Sequence, residues 1–231
     1  PKGVISSRPG AFMPKSAEIN VDINGKAAHG TAPYEGLDAL YITADYVKRT
    51  YADHSKMFGA IHRFTDGVGD LTYAPCDVPE ERTLIHFGKM ESGYARNIVS
   101  DYSHLLGTVR AYDEDHFQKI IGILTKNLEK IEAEYHCTTG FSHSDGYPPV
   151  VNDKELYEEI RPVLQQLDGG YEEMPLPLMI SEDFSFYGQY APAVFFVLGT
   201  GTGIPLHSTN FDFEEDLLLS GFALYQALLT R

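Results

Sequence analysis

A chain of 231 residues, 43% of them hydrophobic, carries enough apolar material for one large domain or two ordinary ones. With 33 acidic against 18 basic residues, a formal net charge of −15 and no basic cluster along the sequence, it would repel a phosphate backbone, which argues against nucleic acid as a partner. The longest apolar stretch, residues 191–199, falls far short of the roughly 20 needed to span a bilayer, and Cys76 and Cys137 lack any framework spacing, so no membrane is expected and a reducing, cytoplasmic setting is.

The opening "PKGVISSRPG" reads as the interior of a longer polypeptide, a Lys-Gly turn leading into a short strand, so an N-terminal part is expected before Pro1. In "AEINVDINGKAAHG" (17–30), Ile19, Val21 and Ile23 alternate with Glu18, Asn20, Asp22 and Asn24, which predicts a half-buried strand closing on an Asn-Gly turn. Leu37, Leu40, Tyr41, Ala44 and Val47 fall at helical spacing and predict a helix over about 36–53. A polar, Gly-rich excursion or hairpin is expected from Asp66 to Glu81. Strands follow at 82–90 and 103–112, separated by the polar turn "ESGYARNIVSD". Asp113 then N-caps a helix with Phe117, Ile120, Ile121, Leu124, Leu128 and Ile131 on one face, and 136–142 supplies a last strand. This βαββαβ order is that of the ferredoxin-like split βαβ unit, so residues 15–144 read as one small domain.

The turn-rich "DGYPPVVND" leads to a helix over about 153–167. "PLPLMISEDFSFYGQY" mixes a short apolar strand with an acidic turn, "AVFFVLG" suits a buried strand, and "NFDFEEDLLLSGFALYQALLTR" predicts a closing amphipathic helix. Residues 1–14 and 145–231 thus hold too few strands for a complete α/β core. The fold class expected is α/β with an α+β insert.

No HExxH, GxSxG, Walker A or helix-opening GxGxxG motif occurs. His54, His62, His86, His104, His116, His136 and His143 sit in ordinary strand, helix or junction contexts and read as surface or hydrogen-bonded residues. His29 and His207 each sit in a Gly-flanked turn at a strand end, where a side chain reaches a cleft; on the residues alone each is either a functional group or a polar loop residue. Glu182 and Asp183 are a substrate-facing acid pair or, the favoured reading, a helix cap. Arg110, at a strand end, is a solvated charge or a carboxylate clamp. "GTGTG" lacks the basic residue or helix start that a phosphate loop needs.

Together "NGKAAHGTAPYEGLDAL", "ARNIVSDYSHLLGTVR", "GYPPVVND", "SEDFSFYGQYAPAVFFVLGTG" and "PLHSTNF" resemble, in order, the M20 family of metal-dependent amidohydrolases and peptidases, and most nearly its N-acyl-amino-acid amidohydrolases such as hippurate hydrolase. The resemblance implies a metallo-aminopeptidase-like α/β domain, here residues 1–14 and 145–231, and an inserted ferredoxin-like lid and dimerisation domain, residues 15–144. It implies that His207 is a metal ligand and that His29 polarises the scissile carbonyl. Asn97 would hydrogen-bond substrate and Arg110 would hold a substrate carboxylate. The parent would use divalent metal ions, two per site, zinc or manganese, to hydrolyse N-acyl amino acids as a homodimer. The family's Cys-Gly-His-Asp-like motif, acidic pair and further ligand His have no counterpart in these residues, so the chain alone is expected to hold no metal and to be inactive. A different class remains open: a non-catalytic dimerisation or binding module without the metal centre.

Overall fold

The computed structural model describes residues 1–58, 63–64, 71–72 and 81–230. The chain opens with β1 (Ile5–Ser7), β2 (Gly10–Met13), β3 (Lys15–Asn24), β4 (Ala28–His29), helix α1 (Ala39–Phe58) and the short pair β5 (Arg63–Phe64) and β6 (Leu71–Thr72). It continues through β7 (Thr83–Ser92), β8 (Ile98–Val99), β9 (Tyr102–Ala111), α2 (Glu114–Tyr135) and β10 (Thr138–His143). It ends with β11 (Val150–Asn152), α3 (Lys154–Leu164), β12 (Tyr171–Glu173), β13 (Val197–Leu198) and α4 (Leu217–Leu229). Two units result: Pro14–Pro148, and Pro1–Met13 with Pro149–Arg231. Among the described residues no helix is long and apolar enough to cross a membrane.

In the unit Pro14–Pro148 the alternation of β3 sets the architecture. Ala17, Ile19, Val21 and Ile23 turn inward and meet Ile85 of β7 and Leu105 and Val109 of β9, while Ile42 and Tyr46 of α1 and Phe117, Ile120, Leu124 and Leu128 of α2 close the core from above. The sheet order is β10-β3-β9-β7, with every neighbouring pair antiparallel. β3 and β9 pair over ten residues, from Lys15 opposite Ala111 to Asn24 opposite Tyr102. In the edge strand β7 the register shifts between Phe87 and Lys89, so Gly88 is an extra residue, a β-bulge.

The helix ends follow from local chemistry. Asp113 caps α2, its carboxylate accepting from the His116 amide at 2.7 Å. α1 starts at Ala39 rather than near Gly36 because the Asp38 carboxylate accepts from the Leu40 and Tyr41 amides, at 3.0 and 3.4 Å. The polar excursion expected over 66–81 lies outside the described residues apart from Leu71, Thr72 and Glu81, and so does Cys76. Cys137 is a free, buried thiol.

In the other unit β1 pairs parallel with β12 and antiparallel with β13, and β2 pairs with β11. Ile5, Ile160, Leu164 and Leu224 form one core cluster, and Phe12, Met13 and Val150 another. Three expectations need correcting here. "PLPLMI" forms no strand, because Pro175 and Pro177 lack the N–H a ladder needs; the strand lies just before, in β12. Of "AVFFVLG" only Val197 and Leu198 pair, and the run is half-buried rather than enclosed. α4 is not amphipathic: Leu217 and Leu224 are buried, but Leu218, Leu219, Phe222, Tyr225 and Leu229 are all exposed.

Asn152 holds this unit together. Its side-chain amide donates to Arg8 O at 2.7 Å and Ser7 Oγ at 3.1 Å, its Oδ1 accepts from the Phe195 amide at 2.7 Å, and Ser7 Oγ donates to Phe195 O at 2.6 Å. Three distant segments therefore share one buried side chain. Asn152→Ala leaves several of these groups without partners and should lower stability by about 2–3 kcal/mol, read as a fall in the midpoint of urea unfolding with an unchanged slope.

Candidate functional site

His29 and Asn97 meet at one end of the four-stranded sheet. β4 and β8 pair there, with Ala28 opposite Val99 and His29 opposite Ile98, and the Gly30 amide donates to Asn97 O at 2.8 Å. Two-residue strands carry no sequence periodicity; their position follows from the β3–β9 ladder immediately before them. A Cβ on Gly30 would sit 3.0 Å from Asn97 O, so glycine is what lets the two segments approach so closely. Both side chains are exposed.

The imidazole of His29 is oriented by its neighbour. The Thr31 amide donates to Nδ1 at 3.2 Å, and the Thr31 hydroxyl lies 2.8 Å from the same nitrogen. A backbone amide can only donate, so Nδ1 keeps its lone pair and the neutral ring carries its proton on Nε2. Nε2–H is then a donor with no partner among the described residues. That suits a group that stabilises negative charge on a carbonyl oxygen. Sequence reasoning missed Thr31; the His-x-Thr spacing, short enough for a side-chain to backbone turn, was the available signal.

Arg110 lies elsewhere. It sits near the end of β9, opposite Ser16 of β3 and Leu84 of β7. Between Tyr102, at the His29 end, and Arg110 run eight residues of strand, about 27 Å. The two groups of predicted substrate contacts therefore lie toward opposite ends of the sheet.

His207 belongs to the other unit, in an exposed turn closed by the Ser208 amide donating to Pro205 O at 3.0 Å. The preceding Gly201 and Gly203 adopt φ of +73° and +70°, conformations that require glycine, and this is how "GTGTG" turns the chain toward His207. Glu182 occupies the backbone cap position of the 3₁₀ turn Asp183–Gln189, but its side chain makes no capping bond. Among the described residues no group of three or more His, Cys, Asp or Glu could hold a metal ion.

The sequence matches the Peptidase family M20/M25/M40 over residues 5–231. The chain belongs to this family. Thermostable carboxypeptidase 2 of Saccharolobus solfataricus is 29% identical over 235 residues, covering 99% of this chain and 54% of its own. An uncharacterized hydrolase of Staphylococcus aureus strain USA300 is 32% identical over 157 residues, 65% of this M20 chain and 41% of its own. Among solved structures, a putative aminohydrolase from methicillin-resistant Staphylococcus aureus superposes with a TM-score of 0.79 at 23% identity, over 99% of this chain and 56% of that one. A Bacillus subtilis protein described as a dinuclear metal-binding M20 peptidase does so with a TM-score of 0.70 at 18% identity, over 99% and 54%. These likenesses establish a shared fold. The M20 chain spans about half the length of the relatives it matches.

The tautomer of His29 is directly measurable. Nitrogen-15 NMR of the neutral imidazole should show the Nε2–H form, and Thr31→Pro, which removes the amide donor, should shift the population toward Nδ1–H. An Nδ1–H ring in the unsubstituted protein would refute the orientation described above.

Proposed function

We propose that this chain supplies the substrate lid and one metal ligand of an M20-type amidohydrolase that hydrolyses the amide bond of N-acyl amino acids, in the manner of the hippurate hydrolase subgroup. The single observation that carries the reading is the tip itself, where the Asn97 carbonyl is held by the Gly30 amide, next in sequence to a histidine whose Nε2–H is uncommitted. Residues 15–144 act as a ferredoxin-like lid, and the βαββαβ order with strands arranged β10-β3-β9-β7 supports that description.

The roles follow from the donors. His29 Nε2–H bonds the carbonyl oxygen of the scissile amide as it gains negative charge, an interaction stronger in the transition state than in the bound substrate. Asn97 orients the substrate by hydrogen bonds, and Arg110 grips its carboxylate in bidentate fashion. His207 is a ligand of a divalent centre, zinc or manganese, whose remaining ligands and general base come from outside these 231 residues. Such a centre, when bound, supplies Lewis acidity and a water of lowered pKa. The dinuclear M20 peptidase with the same fold supports this part.

About 27 Å of strand lies between Arg110 and the His29 end of the sheet, farther than a small N-acyl amino acid reaches. A substrate contacting all three residues must then take Arg110 from one lid and His29 with Asn97 from another. This supports a homodimer joined through residues 15–144, with each active site shared between two chains.

The test uses the full reading frame that contains this chain. His29→Ala should keep its metal and lose about 10² to 10³ in kcat, whereas His207→Ala should lose metal as well as activity. When the two inactive proteins are unfolded and refolded together, about half the dimers are mixed and each has one intact site of two, so activity should return to about a quarter of the unsubstituted level. Recovery is also expected for His29→Ala with Arg110→Ala. No recovery after verified subunit exchange would remove the shared site. Absence of metal-dependent turnover of any N-acyl amino acid would favour the non-catalytic module.

A further inference from the structure

A groove of about 710 Å³ runs between α1 and α2, within the unit Pro14–Pro148 and on the side of the helices turned away from the sheet. Its floor is apolar: Met57 from α1, with Gly122 and Ile123 from α2. Glycine inside a helix is destabilising relative to alanine. At Gly122 no packing accounts for it, since a Cβ there would meet nothing within 4 Å. The effect is a notch in the floor.

The rim is cationic in a chain of net charge −15. One cross-groove ion pair fixes the alignment of the helices: Lys130 donates to Asp53 at 3.2 Å and to Asn127 Oδ1 at 2.9 Å. The two helices are antiparallel, as the further contacts between Arg49 and Glu134 and between Phe58 and His116 require. Lys56 is three residues beyond Asp53 and Lys126 is four before Lys130, so each lies one turn further along, on the same faces. Lys56 and Lys126, from opposite helices, therefore both line the groove at this level. Neither has an ion pair or hydrogen bond among the described residues, and nor does Lys119, two turns from Lys126. Two carboxylates share the lining: Asp53, paired with Lys130, and Asp115 toward the start of α2. Like charges gathered beside an apolar floor repel one another, and an anion among them relieves that repulsion.

We propose that this groove is a binding site for an aliphatic carboxylate, its head between Lys56 and Lys126 and its alkyl chain over Met57, Gly122 and Ile123. The volume lies in the range of small-molecule sites, and the combination of an apolar bed with a few placed charges is what such sites share. The proposal is independent of the hydrolytic reading.

Octanoate is a suitable probe, titrated into the nitrogen-15-labelled chain. Saturable, one-to-one shifts are expected at the amides of residues 56–57 and 122–126, with acetate and octanol each binding at least about 10-fold more weakly, since each lacks half of the recognition. Lys56→Gln and Lys126→Gln should each weaken octanoate by about 5-fold or more and leave octanol unchanged. Gly122→Leu fills the notch and should abolish binding while shifts far from the groove stay in place; Lys48→Gln, elsewhere on α1, should have no effect. No saturable binding, acetate binding as well as octanoate, or octanoate affinity unchanged by the Lys56, Lys126 and Gly122 substitutions would each overturn the site.

Discussion

The ten-residue ladder between β3 and β9 is the constraint from which the candidate site follows. It fixes which side of β3 is buried, and a slip of one residue would turn Ile19, Val21 and Ile23 to the opposite face. It also brings the segments that follow Asn24 and precede Tyr102 out at the same end, where the Gly25 amide donates to Asp101 O at 2.8 Å. β4 and β8 then have little choice of partner. His29 and Asn97, 68 positions apart in sequence, meet because a strand pair laid down between other residues delivers them there.

What could be read in the sequence depended on how local the cause was. The alternation of β3 and the apolar stripe of α2 are written within a few residues of one another, and Asp113 stands where its carboxylate is needed. The family resemblance identified His29, Asn97, Arg110 and His207 as residues to examine. It did not reveal that Arg110 and Asn97 lie toward opposite ends of the sheet, which is a matter of register. Nor did composition reveal the cationic groove. Lys56 and Lys126 are 70 positions apart and come together only once α1 and α2 lie antiparallel, so a sequence without a basic run still builds a basic patch.

The second unit was harder to anticipate because its order rests on tertiary contacts more than on periodicity. Val197 and Leu198 are strand only because β1 lies beside them, and Phe195 is held by a side chain 43 residues away. Asn152 offers no hydrophobic signal, and the turn-rich stretch it sits in does not announce a buried side chain, yet its amide satisfies backbone groups from two other segments that would otherwise be buried unpaired. α4 misled for the opposite reason. Its apolar content is high on every side, so helical spacing alone does not distinguish a buried face from an exposed one.

The bulge at Gly88 has a geometric consequence of its own. Among the described residues β7 is the outer margin of the sheet beyond β9, and a neighbouring strand can add to it only where the backbone groups keep an unbroken two-residue repeat. Gly88 interrupts that repeat, leaving two short docking tracks, Thr83–Phe87 and Lys89–Ser92, out of step with each other. A regular strand can follow one track or the other but not both, so the inserted residue works as an end-stop on lateral growth of the sheet. A margin divided in this way resists open-ended stacking and still leaves room for one short, discrete pairing.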